Sequence, residues 1–154
     1  MPMEIKLKSI ATVKNSRTLS VDDHWEDVIS EIELENHIPT EVFDSIDDFS
    51  HLEIIYYFDK VKKEDIVFSG KPRGNPKYPR VGIFVQRKKD RPNTLGLAVV
   101  KLLKHNGRTI TVKYLDAIDG TPILDIKPVF KEYQPKGEIK QPYWVQDLMK
   151  NYWK

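Results

Sequence analysis

With 154 residues, 40% of them hydrophobic and 31% charged, the chain has the size of one domain, and its lack of cysteine excludes disulfides, thiolate metal sites and thiol nucleophiles. No apolar stretch approaches the roughly 20 residues that a membrane span needs, and the opening MPMEIKLKSI has no signal-peptide core, so a cytoplasmic protein without membrane attachment is expected. The net charge of +2 hides an asymmetry: Asp22 to Asp65 holds fifteen acids against three lysines, a local net of −12, and Lys71 to Arg91 holds eight bases against Asp90, a local net of +7. A basic segment broken by prolines suits a solvated loop or a phosphate-facing surface.

Alternation at Ile5, Leu7 and Ile10, then at Val28, Ser30, Ile32 and Leu34, predicts two early strands. Pro39 to Ile46 predicts a short helix, with proline and acids in its first turn. His51 to Phe58, HLEIIYYF, predicts a buried central strand, since aromatic and β-branched residues follow one another without glycine or proline. Ser69 to Arg80, with three prolines and two glycines, predicts an exposed irregular loop.

VGIFVQR, TLGLAVVKLL, RTITVKYL and PILDIKPVF then predict four more strands separated by turn residues such as His105-Asn106-Gly107 and Asp119-Gly120. Pro142 to Trp153 predicts one amphipathic helix, with Trp144, Leu148 and Tyr152 spaced to pack on the rest of the molecule. Closely spaced strands with little helix between them imply an antiparallel barrel or sandwich. A dinucleotide-type βαβ fold is disfavoured, because none of the seven glycines stands in G-x-G spacing.

His24, His37, His51 and His105 are scattered, so no metal is assigned, and His51 reads as a hydrogen-bonded core or rim residue. G-x-S-x-G and Walker motifs are absent as well. Two dense turns remain. Arg87 to Gly96 sets a guanidinium beside Pro92 and Asn93, which suits fixing a loop or gripping an anion. Asp116 to Pro128 gathers three carboxylates and Lys127 about Asp119-Gly120-Thr121-Pro122, which is ordinary turn chemistry taken alone.

In order along the chain, SIATV at Ser9, FSHLEIIYYF at Phe49 to Phe58, GIFVQRKKDRPNTLGL at Gly82 to Leu97 and LDAIDGTPILDIKP at Leu115 to Pro128 resemble the TrmO/TsaA-like family. The resemblance implies a mainly β fold, a single-domain antiparallel β-barrel over residues 1–154 with short peripheral helices and a C-terminal helix. It also implies a homodimer that binds S-adenosylmethionine near the subunit interface and methylates the exocyclic nitrogen of threonylcarbamoyladenosine at position 37 of tRNA.

Carried over by residue, the cofactor contacts fall on Phe58, Asp59, Arg87, Leu97, Asp119, Gly120, Thr121 and Pro122. Arg91 and Asn93 would support the loop, Asp119 or Asp125 could take a proton, and Asp125 beside Lys127 suits a structural pair. For tRNA, the basic segment offers Lys71, Arg73, Lys77, Tyr78 and Arg80, with Tyr78 placed to stack on an unpaired base. The chain departs from the family in lacking its N-terminal proline-arginine-glutamine stretch and in having Asp59 where histidine often follows the phenylalanine. Two other readings stay open: a methyltransferase for another RNA or small molecule, and a non-catalytic barrel that binds cofactor or RNA.

Overall fold

In the computed structural model, which describes residues 1–154, the strands are β1 (Ala11–Lys14), β2 (Ile29–Leu34), β3 (His51–Tyr57), β4 (Ser69–Gly70), β5 (Val81–Gly82), β6 (Leu95–Asn106), β7 (Thr109–Lys113) and β8 (Pro122–Pro128). Six of them close an antiparallel barrel in the order β1-β2-β7-β6-β3-β8, and β4 with β5 forms a separate two-stranded ribbon. Of the barrel or sandwich that strand spacing allows, the observed fold is the mainly β barrel that the family resemblance implies. Alternation sets which residues turn inward: Val13, Ile32, Leu52, Ile54, Val100, Ile110, Val112 and Ile123 fill the interior, and each removes apolar surface from water at roughly 25 cal/mol per Å².

Several elements differ from expectation for physical reasons. The first strand begins at Ala11 rather than in the Ile5–Leu7 stretch, because pairing starts only where the Ile10 N–H meets the Ile123 carbonyl, and Ile5 and Leu7 stay exposed. The expected helix at Pro39 to Ile46 is instead two 3-10 turns, Thr40–Phe43 and Ile46–Asp48, broken where Ser45 takes a left-handed φ of 62°. VGIFVQR pairs only through Val81 and Gly82 and then coils into a 3-10 turn, Ile83–Val85, with Phe84 and Val85 exposed.

The C-terminal helix α1 covers only Tyr143–Leu148. Beyond it the chain extends, and the N–H groups of His24, Trp25 and Glu26 donate to the carbonyls of Asn151, Tyr152 and Trp153. Those three bonds take the chain where helical continuation was expected. No helix is long and apolar enough to cross a membrane.

Candidate functional site

Tyr56 sits at the meeting point of both sequence-predicted turns. It lies opposite Gly96 on β6 and opposite Ile123 on β8, so the Arg87–Leu97 loop and the Asp119–Pro122 turn reach the same end of the barrel on either side of β3. The ring needs the glycine: a Cβ at position 96 would stand 2.4 Å from two Tyr56 ring atoms. Phe58 follows, its ring edge-on to Tyr56 at 5.2 Å and its N–H donating to the Thr94 carbonyl at 2.8 Å. Asp59 is exposed at the strand's exit.

Arg87 is exposed and donates from Nη2 to the Leu97 carbonyl at 2.7 Å, which ties the two ends of its loop together. Arg91 reaches back across the same loop to the Gln86 carbonyl at 2.6 Å, and Asn93 adopts φ 64°, a conformation that asparagine tolerates better than most residues.

The second turn is bound to β1 and the segment after it. The Asp119 N–H donates to the Arg17 carbonyl at 2.7 Å, and the Asp119 carboxylate accepts the Asn15 N–H at 3.0 Å. Gly120, at φ 84°, donates to the Val13 carbonyl at 2.8 Å, while the buried Thr121 hydroxyl closes the turn on the Ile118 carbonyl at 2.7 Å. Pro122 stands opposite Thr12. Asp125 pairs with Lys127 at 3.0 Å and also accepts the Ile126 N–H at 2.9 Å. The Asp125 carboxylate also raises the pKa of the Lys127 ammonium.

Three side chains at this end carry no binding or catalytic role that the sequence assigns. Asp116 accepts the Tyr56 hydroxyl at 2.7 Å on one carboxylate oxygen and the Tyr152 hydroxyl on the other. Burial, reinforced by the charge of Asp116, pushes both phenols above the ordinary tyrosine range, and the nearby positive charge of Arg87 opposes that shift. By sequence Asp116 is one of three equivalent turn carboxylates. Tyr152, 36 residues further on, carries no sequence signal that links it to Asp116. Arg17 lies 4.3 Å over the Trp25 ring and donates to the Val21 and His24 carbonyls, yet its buried Nε has no partner. It lines a hollow of about 540 Å³ together with Val21, Asp22, Asp23, His24 and Arg73.

The basic segment requires corrections. Tyr78 is only 7% exposed, against Trp144, and donates to Asp147 at 2.7 Å, so its ring is not the base-stacking platform expected; Pro72 is buried too, so the loop is not wholly exposed. Arg73 holds Asp23 through two hydrogen bonds at 2.9 and 3.3 Å, and Lys77 holds Asp147 at 2.7 Å. Those two cations are committed within the chain. Lys71, bonded to the Pro76 carbonyl, and Arg80, bonded to the Ser69 hydroxyl, are exposed and carry no ion pair. His51 is exposed on the rim and bonded to the Ser50 hydroxyl.

Comparison with known proteins bears on the family and the fold. The family described as tRNA-methyltransferase O N-terminal domain matches residues 19–134. A "Probable S-adenosyl-L-methionine-binding protein" of Methanothermobacter thermautotrophicus is 33% identical over 138 residues, 88% of this chain and 97% of that protein. The human protein named tRNA (adenine(37)-N6)-methyltransferase is 35% identical over 111 residues, 69% of this chain but 24% of its own length. A crystal structure of TrmO from P. aeruginosa superposes with a TM-score of 0.75 at 19% identity over 94% of this chain and 63% of that one, a likeness of fold. The chain thus spans nearly all of the archaeal relative, about a quarter of the human one and under two thirds of the crystallised one.

Proposed function

The chain belongs to the tRNA-methyltransferase O N-terminal domain family, and from that premise we propose that residues 1–154 act as one domain, an S-adenosylmethionine-dependent methyltransferase for the N6 position of adenosine 37 in tRNA. Within that class, threonylcarbamoyladenosine is the acceptor we propose. The observation that carries the reading is the double pairing of Tyr56 with Gly96 and Ile123, which brings the Arg87–Leu97 and Asp119–Pro122 turns to one end of the barrel.

The residues present fit a sulfonium nucleoside. The unpartnered Arg17 Nε is a donor awaiting an acceptor. Arg87, exposed beside Leu97, suits the amino-acid carboxylate. Asp119 can meet a ribose hydroxyl through its second oxygen, Phe58 and Leu97 offer apolar contact, and Asp59, Gly120, Thr121 and Pro122 shape the rim. When bound, that group supplies an activated methyl carbon. The chain has to align an acceptor nitrogen with it and exclude water. Arg91, Asn93, Asp125 and Lys127 would keep the two turns in place for that task.

For tRNA, we assign the backbone contacts first to Lys71 and Arg80, with Arg73 and Lys77 joining only where phosphate displaces Asp23 and Asp147. The same reading places the work in the cytoplasm. It takes the active form to be a homodimer, supported by outward apolar side chains on β6 at Leu95, Leu97, Val99 and Leu103. The aromatic side of α1 is occupied within the chain, where Trp144 is buried beside Tyr78.

Incubating the full chain with methyl-labelled S-adenosylmethionine and total tRNA, then digesting to nucleosides, tests the proposal. Label in a modified adenosine supports it, and label in a different nucleoside or only in small molecules overturns the acceptor.

A further inference from the structure

The turn that runs from Asp116 to Asp125 carries three carboxylates, and the structure gives each a different employment. Asp125 is neutralised by Lys127 and caps its own neighbour's amide. Asp119 is exposed, and its carboxylate accepts the Asn15 N–H that closes the turn on β1. Asp116 alone meets neither a lysine nor a backbone amide. It is half-buried, and its two oxygens each accept one phenol, from Tyr56 on β3 and from Tyr152 on the C-terminal tail. A carboxylate offers about four lone-pair positions, so each oxygen retains acceptor capacity after taking one phenol.

We propose that Asp116 receives the proton of the acceptor nitrogen, and that Tyr56 and Tyr152 are the positioning residues that aim it; this rests on the methyltransferase reading above. Tyr56 is fixed from behind by Gly96, whose missing side chain admits the ring, and Tyr152 is fixed by the tail's bonds to Trp25 and its neighbours. The groups facing the carboxylate are therefore the two phenols, with the positive charges of Arg87 and Arg73 felt at Tyr152. A carboxylate so held cannot swing away to water, and its orientation is set before substrate arrives.

The step balances. The nitrogen's proton passes to a carboxylate oxygen of Asp116, the nitrogen lone pair forms the new N–C bond, and the C–S bond breaks with its electrons left on sulfur. The negative charge of the carboxylate and the positive charge of the sulfonium vanish together. Such a transfer favours a half-buried carboxylate over an exposed one, because the charges that disappear are the ones poorly solvated there.

Three variants of the full chain separate this role from turn-holding: Asp116→Asn, Asp119→Asn and Tyr152→Phe. Asp116→Asn should lower methyl transfer by at least about 100-fold, while S-adenosylhomocysteine binding measured by calorimetry stays within about threefold of wild type. Asp119→Asn should instead weaken that binding, the loss read as a raised KM for the cofactor. Tyr152→Phe should lower kcat about tenfold with KM for the cofactor unchanged. Without any cofactor, Asp116→Asn should move a phenol ionisation to lower pH in absorbance at 295 nm, since the charge that raises Tyr56 and Tyr152 is gone. Methyl transfer by the Asp116→Asn protein at the wild-type rate, or a Tyr152→Phe defect that appears only in KM, overturns the proposal and leaves the family function standing. A wild-type protein that labels no tRNA overturns both.

Discussion

Gly96 lies against the ring of Tyr56, so close that an added methyl group would stand 2.4 Å from the ring's Cε2 and Cζ atoms. The two residues are direct partners across β3 and β6, and the contact decides where the Tyr56 hydroxyl points. Gly96→Ala is therefore expected to cost about 1–3 kcal/mol, the usual penalty of overpacking, read from denaturant unfolding. In a Tyr56→Ala background the same change should cost under about 0.5 kcal/mol. Equal costs in the two backgrounds would mean that the ring is not what glycine accommodates.

Asp147 joins α1 to the basic loop and gives the fold an acid-sensitive contact. Hydrogen bonds from Lys77 and then Tyr78 hold its carboxyl below the ordinary value of 3.8. A depressed acid stabilises the native state above its unfolded pKa, and that contribution is lost as pH falls through the lower folded value. Asp147→Asn should be less stable than wild type at pH 7, with the gap narrowing as the pH falls below 3.8, a change visible in thermal melts. A constant difference across that range would refute the linkage.

The outer face of β6 supplies the dimer test. Val99 points outward opposite Glu53 on β3, so Val99→Lys has a carboxylate to pair with in the isolated chain and should fold. On the proposed interface it buries a charge, and light scattering should report a monomer where wild type is a dimer. A mutant that stays dimeric moves the interface elsewhere.

For tRNA binding, Lys71→Glu with Arg80→Glu should reduce affinity and flatten its dependence on salt, the slope falling by about one for each phosphate that no longer meets a cation. Arg73→Glu should instead expel its partner Asp23 and loosen the loop, which thermal melts would register. Equal effects of the two changes on affinity, without a melt difference, would return the whole basic run to the nucleic-acid surface.

The sequence carried the strands because their inward residues alternate, and the family resemblance chose the barrel over a sandwich. His51 to Tyr57 could be read as a central strand, and it is one, flanked on both sides by β6 and β8. The two dense turns could be read as turns as well, since both are built from side chains and backbone demands local to them, such as the positive φ of Gly120. What stayed illegible depends on distant partners. Tyr78 sits among prolines, lysines and arginines that suggest water, yet α1 buries it. Tyr152 and Trp153 continue a helical spacing that backbone bonds to residues 24–26 override. Phe84 and Val85 have strand composition but no strand beside them, and nothing local distinguishes Asp116 from its two neighbouring aspartates.

The insertion of β8 between β1 and β3 has a consequence for how the chain is made. Residues 122–128 supply a neighbour both to a strand that ends at Lys14 and to one that ends at Tyr57. A chain emerging from the ribosome therefore presents two unpaired edges until residues 122–128 have been synthesised. Closure of so distant a seam brings the largest loop-entropy cost last, so the barrel should close in one late step once β8 is available rather than strand by strand, and the interval before closure is when chaperones or self-association compete for those edges.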